Sequence, residues 1–134
     1  MFDKLKKLKT NHSYTPDIVL DIGAHHGNWT KSMMTIYPDS KYYLFEGIDY
    51  KELNNYEKNN NVFIYKNILL NDKEVEVDWY QEKNTGDSFF KELTHNFKNT
   101  KPIKRKTTTL DTIINRDNIL KNDKNIFIKI DCQG

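Results

Sequence analysis

Short apolar runs and helix-spaced apolar residues take turns along the first half of this chain. Ile18-Val19-Leu20-Asp21-Ile22 is a compact apolar run between Pro16 and Gly23. A run of that length predicts a buried strand of a parallel sheet. Trp29, Met33, Ile36 and Tyr37 then recur at helical spacing, with Asn28 placed to cap the helix and Pro38 to stop it. Tyr42-Tyr43-Leu44-Phe45 predicts a second strand, and Asp49 can cap a polar helix running to about Asn59. Val62-Phe63-Ile64-Tyr65 predicts a third strand. Strand, helix, strand, helix, strand at this spacing predicts right-handed βαβ units.

The pattern then changes. After the turn Asn71-Asp72-Lys73, the residues Val75, Val77 and Trp79 alternate with Glu76, Asp78 and Tyr80. Alternation predicts a half-exposed strand in an antiparallel hairpin. Asn84-Thr85-Gly86-Asp87 reads as a loop and Phe89 to Phe97 as helical. Lys104 to Thr109 predicts a short edge-like strand, and Leu110 to Leu120 one or two helical turns. Ile126-Phe127-Ile128-Lys129-Ile130 predicts a last strand. At the other end, Phe2, Leu5 and Leu8 lie three apart among lysines, which predicts a short leader helix over residues 1–16 laid on a domain spanning 17–134.

Composition narrows the class. The chain has 134 residues, enough for one domain. Aromatic residues make up 13%, too much packing material for a disordered chain. The net charge of +2 gives no basic field for nucleic acid. The single cysteine, Cys132, excludes an intrachain disulfide and points to a reducing, cytoplasmic setting. No apolar run approaches the ~18 residues that a membrane span needs.

The densest chemistry lies in Asp21-Ile22-Gly23-Ala24-His25-His26-Gly27, between the first strand and the first helix. Its glycines permit a tight turn and close approach of a ligand to the backbone. The following helix offers free N–H groups. The spacing is not that of the dinucleotide fingerprint, because His25 and Asn28 stand where that pattern needs glycine. An acid at the strand end suits a ligand with an ammonium or sulfonium charge. Glu46, at the end of the second strand, can accept both hydroxyls of a ribose. His25 and His26 are adjacent, and adjacent residues seldom converge on one ion, so no metal site is expected. Cys132 reads as inert, Ser88 has no nucleophile elbow around it, and the Lys101 to Lys106 cluster reads as a solvated face.

Four motifs occur in order: Val19 to Thr30 around the glycine loop, Leu44-Phe45-Glu46, Thr108-Thr109-Leu110-Asp111, and Ile128-Lys129-Ile130-Asp131-Cys132-Gln133-Gly134. Together they resemble the FkbM-type methyltransferases, class I enzymes that use S-adenosylmethionine (SAM). The resemblance covers roughly residues 17 to 134. It implies that Gly23, Ala24, His25 and Gly27 shape the loop under the methionine moiety, with Asp21 near its amino acid end. It implies that Glu46, followed by Gly47, holds the ribose. Asn67 is the candidate for meeting the adenine, with Asp72 competing for that part, and Asp131 would face the methyl-transfer crevice as the candidate catalytic group. Two departures stand out: the family usually has Asn where His25 stands and Pro where Gly47 stands.

The fold so implied is α/β, a three-layer Rossmann-like methyltransferase sheet with an inserted β-hairpin, truncated after its fourth strand. In such sheets the strands run 3-2-1-4-5-7-6, so the fourth strand would present an edge that invites self-association. The implied activity is O-methylation of a hydroxyl on a sugar or small metabolite. The alternative is an incomplete methyltransferase that binds SAM weakly or needs a complementary chain; a third reading is a nucleoside-binding module without transfer.

Overall fold

A computed structural model describes residues 1–81, 101–122 and 125–132. In chain order its elements are α1 (Phe2–His12), β1 (Ile18–Ile22), α2 (Asn28–Ile36), β2 (Lys41–Glu46), a 3-10 helix (Lys51–Tyr56), β3 (Val62–Lys66), β4 (Leu69–Leu70), β5 (Glu76–Trp79), β6 (Ile103–Thr108), α3 (Leu110–Asp117) and β7 (Ile126–Ile130). They fall into two units: Met1–Asn67 with Leu120–Asp131, and Ile68–Ile119 with Cys132–Gly134.

The first unit is a four-stranded sheet in the order β3-β2-β1-β7, every pair parallel. This is a mixed α/β arrangement consistent with a Rossmann-like methyltransferase. Strand alternation sorts the side chains onto two faces. By register, Val19, Asp21, Tyr42, Leu44, Val62 and Ile64 share one face with Phe127 and Lys129. α1, α2 and the 3-10 helix contribute Leu5, Met33, Ile36 and Leu53 to the core built around Val19, Tyr42, Leu44 and Val62. On the other face, Tyr43 stacks on Phe63 with ring centroids 4.7 Å apart, and Phe45 on Tyr65 at 4.8 Å.

α1 is tied down by specific contacts as well as by Leu5. Tyr37 donates its hydroxyl to the Leu5 carbonyl at 3.0 Å. The Lys9 ammonium donates to the Ile36 carbonyl, satisfying one of the open acceptors at the end of α2. Phe2 packs against Trp29 with centroids 6.2 Å apart.

In the second unit β6 pairs in parallel with β4 and antiparallel with β5. Cross-strand charges match, with Asp78 opposite Lys104 at 2.6 Å. Thr109 caps α3 by accepting from the Thr112 amide at 3.0 Å.

Several expectations need correction. Asn28 is the first residue of α2; Gly27, at φ +80°, occupies the cap position without a side-chain bond. The expected polar helix from Asp49 is a single 3-10 segment, and Asp49 pairs with Lys66 at 2.6 Å instead of capping it. The segment expected to be edge-like, β6, is the middle strand of its sheet, because β4 supplies a second neighbour that two residues could not signal. The loop expected at 84–87 and the helix at 89–97 lie outside the described residues.

Tyr37 and Tyr42 are buried in the core, and Tyr14 packs against it. Burial pushes Tyr14, Tyr37 and Tyr42 above the usual value of 10.0, with Tyr42 moved furthest. Tyr42 donates to the Tyr37 carbonyl at 2.7 Å, a bond that needs its proton. A raised folded-state pKa means that the folded state holds its proton more tightly than the unfolded one. That stability is fully present below pH 10 and is lost as pH rises above it. Melting followed by circular dichroism from pH 8 to 11.5 is therefore expected to show a falling Tm from about pH 10. The phenolate absorbance of these three tyrosines is expected to rise with unfolding, after that of the more exposed ones. Ionisation of all eight tyrosines in the folded state would contradict this.

Candidate functional site

Because all four strands of the first unit are parallel, their carboxyl ends lie at one edge. In open α/β sheets that edge is where ligands bind. The loop from Gly23 to Gly27 leaves β1 there, Glu46 ends β2, Asn67 follows β3, and Asp131 follows β7.

The loop is held by the chain on every side. The Gly23 and Ala24 amides donate to the Phe45 carbonyl at 2.9 and 3.1 Å. The His25 amide donates to Glu46 Oε2 at 2.7 Å, and the Ile48 amide to Glu46 Oε1 at 3.0 Å. The Tyr56 hydroxyl donates to the Gly27 carbonyl at 2.6 Å. Three residues of the loop have left-handed backbones: Gly23 at φ +76°, His25 at +52° and Gly27 at +80°. Glycine accepts that conformation freely and histidine does not. The His25 backbone is kept there by the bond its amide makes to Glu46.

Beneath the loop lies a buried ion pair. Asp21 is 0% exposed; it accepts from the Thr30 hydroxyl at 2.6 Å, and its other oxygen lies 2.9 Å from Lys129 Nζ. Lys129 is 11% exposed and also donates to the Gly23 carbonyl at 2.8 Å. Asp131 is 82% exposed, with a carboxylate oxygen 3.7 Å from the same ammonium. Above the loop, the His25 and His26 rings lie 3.9 Å apart, with Tyr50 edge-on to both at 4.7 and 4.6 Å. Around the loop Asp21, Glu46 and Asp131 outweigh Lys129, so a cationic ligand is favoured electrostatically. Burial, together with the charge of Asp21, raises the Tyr56 phenol above its usual value and keeps it a donor.

The sequence-predicted residues Asp21, Gly23, Ala24, His25, Gly27, Glu46 and Gly47 thus meet at the ends of β1 and β2. Asn67 follows β3, exposed and at φ +56°. Asp72 belongs to the second unit. Sequence reasoning missed Lys129, Thr30 and Tyr56. Lys129 did carry a signal: a lysine inside an otherwise apolar strand needs a buried partner, and Asp21 in its own apolar run is the complement. Tyr56 carried none. Among the described residues, no group of three or more His, Cys, Asp and Glu side chains could hold a metal ion.

Gly27 has no room for a methyl group. A Cβ there would stand 2.6 Å from Tyr56 Cε2, at a φ that L residues resist. Gly27→Ala is expected to destabilise the chain by about 2–4 kcal/mol, combining backbone strain with displacement of the Tyr56 ring. Tyr56→Phe keeps the ring and loses one bond, at about 0.5–1.5 kcal/mol. Urea unfolding of the two variants checks that order.

No curated protein and no solved structure matches the chain significantly. The family described as methyltransferase FkbM domain does match, over residues 21–134, from the buried aspartate under the loop to the segment after β7. That span takes in the glycine loop, the Glu46 strand end and the Lys129 to Asp131 strand end, and so the chain belongs to the FkbM methyltransferase family.

Proposed function

We propose that the chain binds SAM at the carboxyl edge of its four-stranded sheet and directs methyl transfer to a hydroxyl of a sugar or small metabolite. The observation that carries this reading is the clamped glycine loop beside the Glu46 carboxylate. Gly23 and Gly27 leave the loop backbone open to close approach, and the negative balance around it suits a sulfonium ligand that also bears an ammonium group.

In this reading Gly23, Ala24, His25 and Gly27 cradle the methionine portion. Glu46, with Gly47 beside it, takes the ribose through the lone pairs left free by His25 and Ile48. Asn67 meets the adenine at the end of β3, in preference to Asp72. Asp21 acts through the loop it supports, since its own carboxylate is sealed from solvent. When bound, SAM supplies a methyl group already activated by its sulfonium charge. The chain has then to align that methyl with the acceptor oxygen and exclude water. Asp131, exposed at the end of β7, accepts the hydrogen bond of the acceptor hydroxyl. General-base assistance at that hydroxyl is worth about 10²–10⁴-fold. Cys132, free and exposed, suits a reducing, cytoplasmic setting.

A second reading is favoured by β7. Ile126, Ile128 and Ile130 are 36%, 50% and 68% exposed along one face of an edge strand. Such an edge invites another strand. In this reading the chain turns over only when a second polypeptide, or a second copy, covers β7.

Calorimetric titration of the full chain with SAM tests the first reading, with Glu46→Ala as control. Micromolar binding is expected, weakened by about 10- to 100-fold in the variant, the range for a hydrogen bond to a charged group. A folded chain that binds neither SAM nor its demethylated product overturns it. Turnover that appears only with a concentration-dependent rise in mass by light scattering selects the second reading.

A further inference from the structure

Lys129 has more contacts than neutralising Asp21 requires. Its register partner across β1 and β7 is Asp21, and that pairing alone would settle the charge of both. Yet the ammonium also donates to the Gly23 carbonyl at 2.8 Å, lies 3.7 Å from Asp131 Oδ2 and sits 5.8 Å over the Trp29 ring. The Gly23 contact matters most. Gly23 lies at φ +76°, where glycine has little steric preference for the plane of the peptide that follows. That plane carries the Gly23 carbonyl on one side and the Ala24 amide on the other. Lys129 holds the carbonyl, and the Phe45 carbonyl receives the amide at 3.1 Å. With the plane fixed from both sides, the next amide, that of His25, is aimed at Glu46 Oε2.

We propose that Lys129 is a positioning residue of the cofactor site: anchored by Asp21, it fixes the peptide between Gly23 and Ala24 and thereby sets the glycine loop and Glu46 in binding geometry. This rests on the reading of the site as a SAM site, and it gives that site a residue acting from below the loop. The pair is set apart from an ordinary buried salt bridge by what happens when both charges are removed together. Removing Lys129 alone strands the Asp21 carboxylate in the interior and unfolds for that reason. Replacing both partners with neutral groups is tolerated far better, and an amide at position 21 can still accept from Thr30.

The test uses the full chain carrying Asp21→Asn with Lys129→Met, compared with the unaltered chain by thermal unfolding, amide hydrogen exchange and SAM titration. The double variant is expected to melt within a few degrees of the original. Its Ala24 and His25 amides are expected to exchange at least about tenfold faster while the amides of β1 and β2 stay protected, and SAM affinity is expected to fall at least about tenfold. A merely structural pair would leave exchange at 24 and 25 unchanged in a folded double variant, and that result overturns the proposal. Should the double variant not fold, Lys129→Arg decides. It keeps the buried charge, but its longer stem and planar fork move the cation out of the position from which the Lys129 ammonium reaches the Gly23 carbonyl. The same loss at 24 and 25 is expected, and original protection there overturns the proposal. The two readings separate cleanly. An original chain that fails to bind SAM, in a series where exchange at 24 and 25 still rises, sinks the cofactor reading and leaves the loop clamp standing. An original chain that binds SAM, with exchange unmoved in the variants, does the reverse.

Discussion

A carboxylate with no exposed surface cannot stay charged in a protein interior without a partner, and Asp21 has its partner in Lys129. Much of the first unit follows from that constraint. The two residues sit opposite each other across β1 and β7, so a slip of one residue would turn Lys129 to the opposite face of the sheet and leave the Asp21 carboxylate unpaired in the interior. The pair therefore fixes the register of the last strand more than it adds to stability, since the desolvation cost of a buried pair consumes most of its attraction. Thr30 takes the remaining oxygen of Asp21 and so ties the first turn of α2 to the same point. Strand, strand and helix meet at one charge, and the glycine loop is the segment strung between them.

The loop in turn shows how a flexible sequence is made rigid without bulky side chains. Glycine at 23 and 27 leaves the backbone open, and the closing contacts come from elsewhere: Phe45 and Glu46 on β2, Tyr56 on the 3-10 helix, Lys129 on β7. Glu46 is the most economical of these. Its carboxylate accepts two backbone amides, which fixes its orientation. Preorganisation of this kind lowers the ordering cost of binding. A methyltransferase, whose reaction depends on alignment more than on proton chemistry, gains directly from such rigidity.

β1, β2 and β3 were legible because they are short apolar runs separated by helix-length spacers, and β1 is buried on both faces as such a run requires. The loop was legible because Gly23 and Gly27, after a strand run and before a helical one, supply the left-handed backbone that a tight turn needs. What escaped the sequence was decided by tertiary neighbours. Nothing in Leu69-Leu70 announces a strand; β6 makes it one. Asp49 looks like a helix cap until Lys66 claims it. Asn28 looks like a cap until Gly27, in a conformation that asparagine would adopt less readily, takes that place. Tyr56 reaches the Gly27 carbonyl from 29 residues away, a distance over which no local pattern operates. Asp21 and Lys129 were each visible as a charge in an apolar run, but only the pairing of β1 with β7 joins them.

The sheet order β3-β2-β1-β7 also mixes contacts of short and long sequence separation. β1, β2 and β3 are close in sequence, and their contacts can form while the chain is still emerging during synthesis. The Lys129 contact to Gly23 closes a separation of 106 residues. Until β7 arrives, the nascent sheet carries an interior carboxylate with no cation beside it and an unpaired flank on β1. The glycine loop thus depends for one of its clamps on a strand made more than a hundred residues after it.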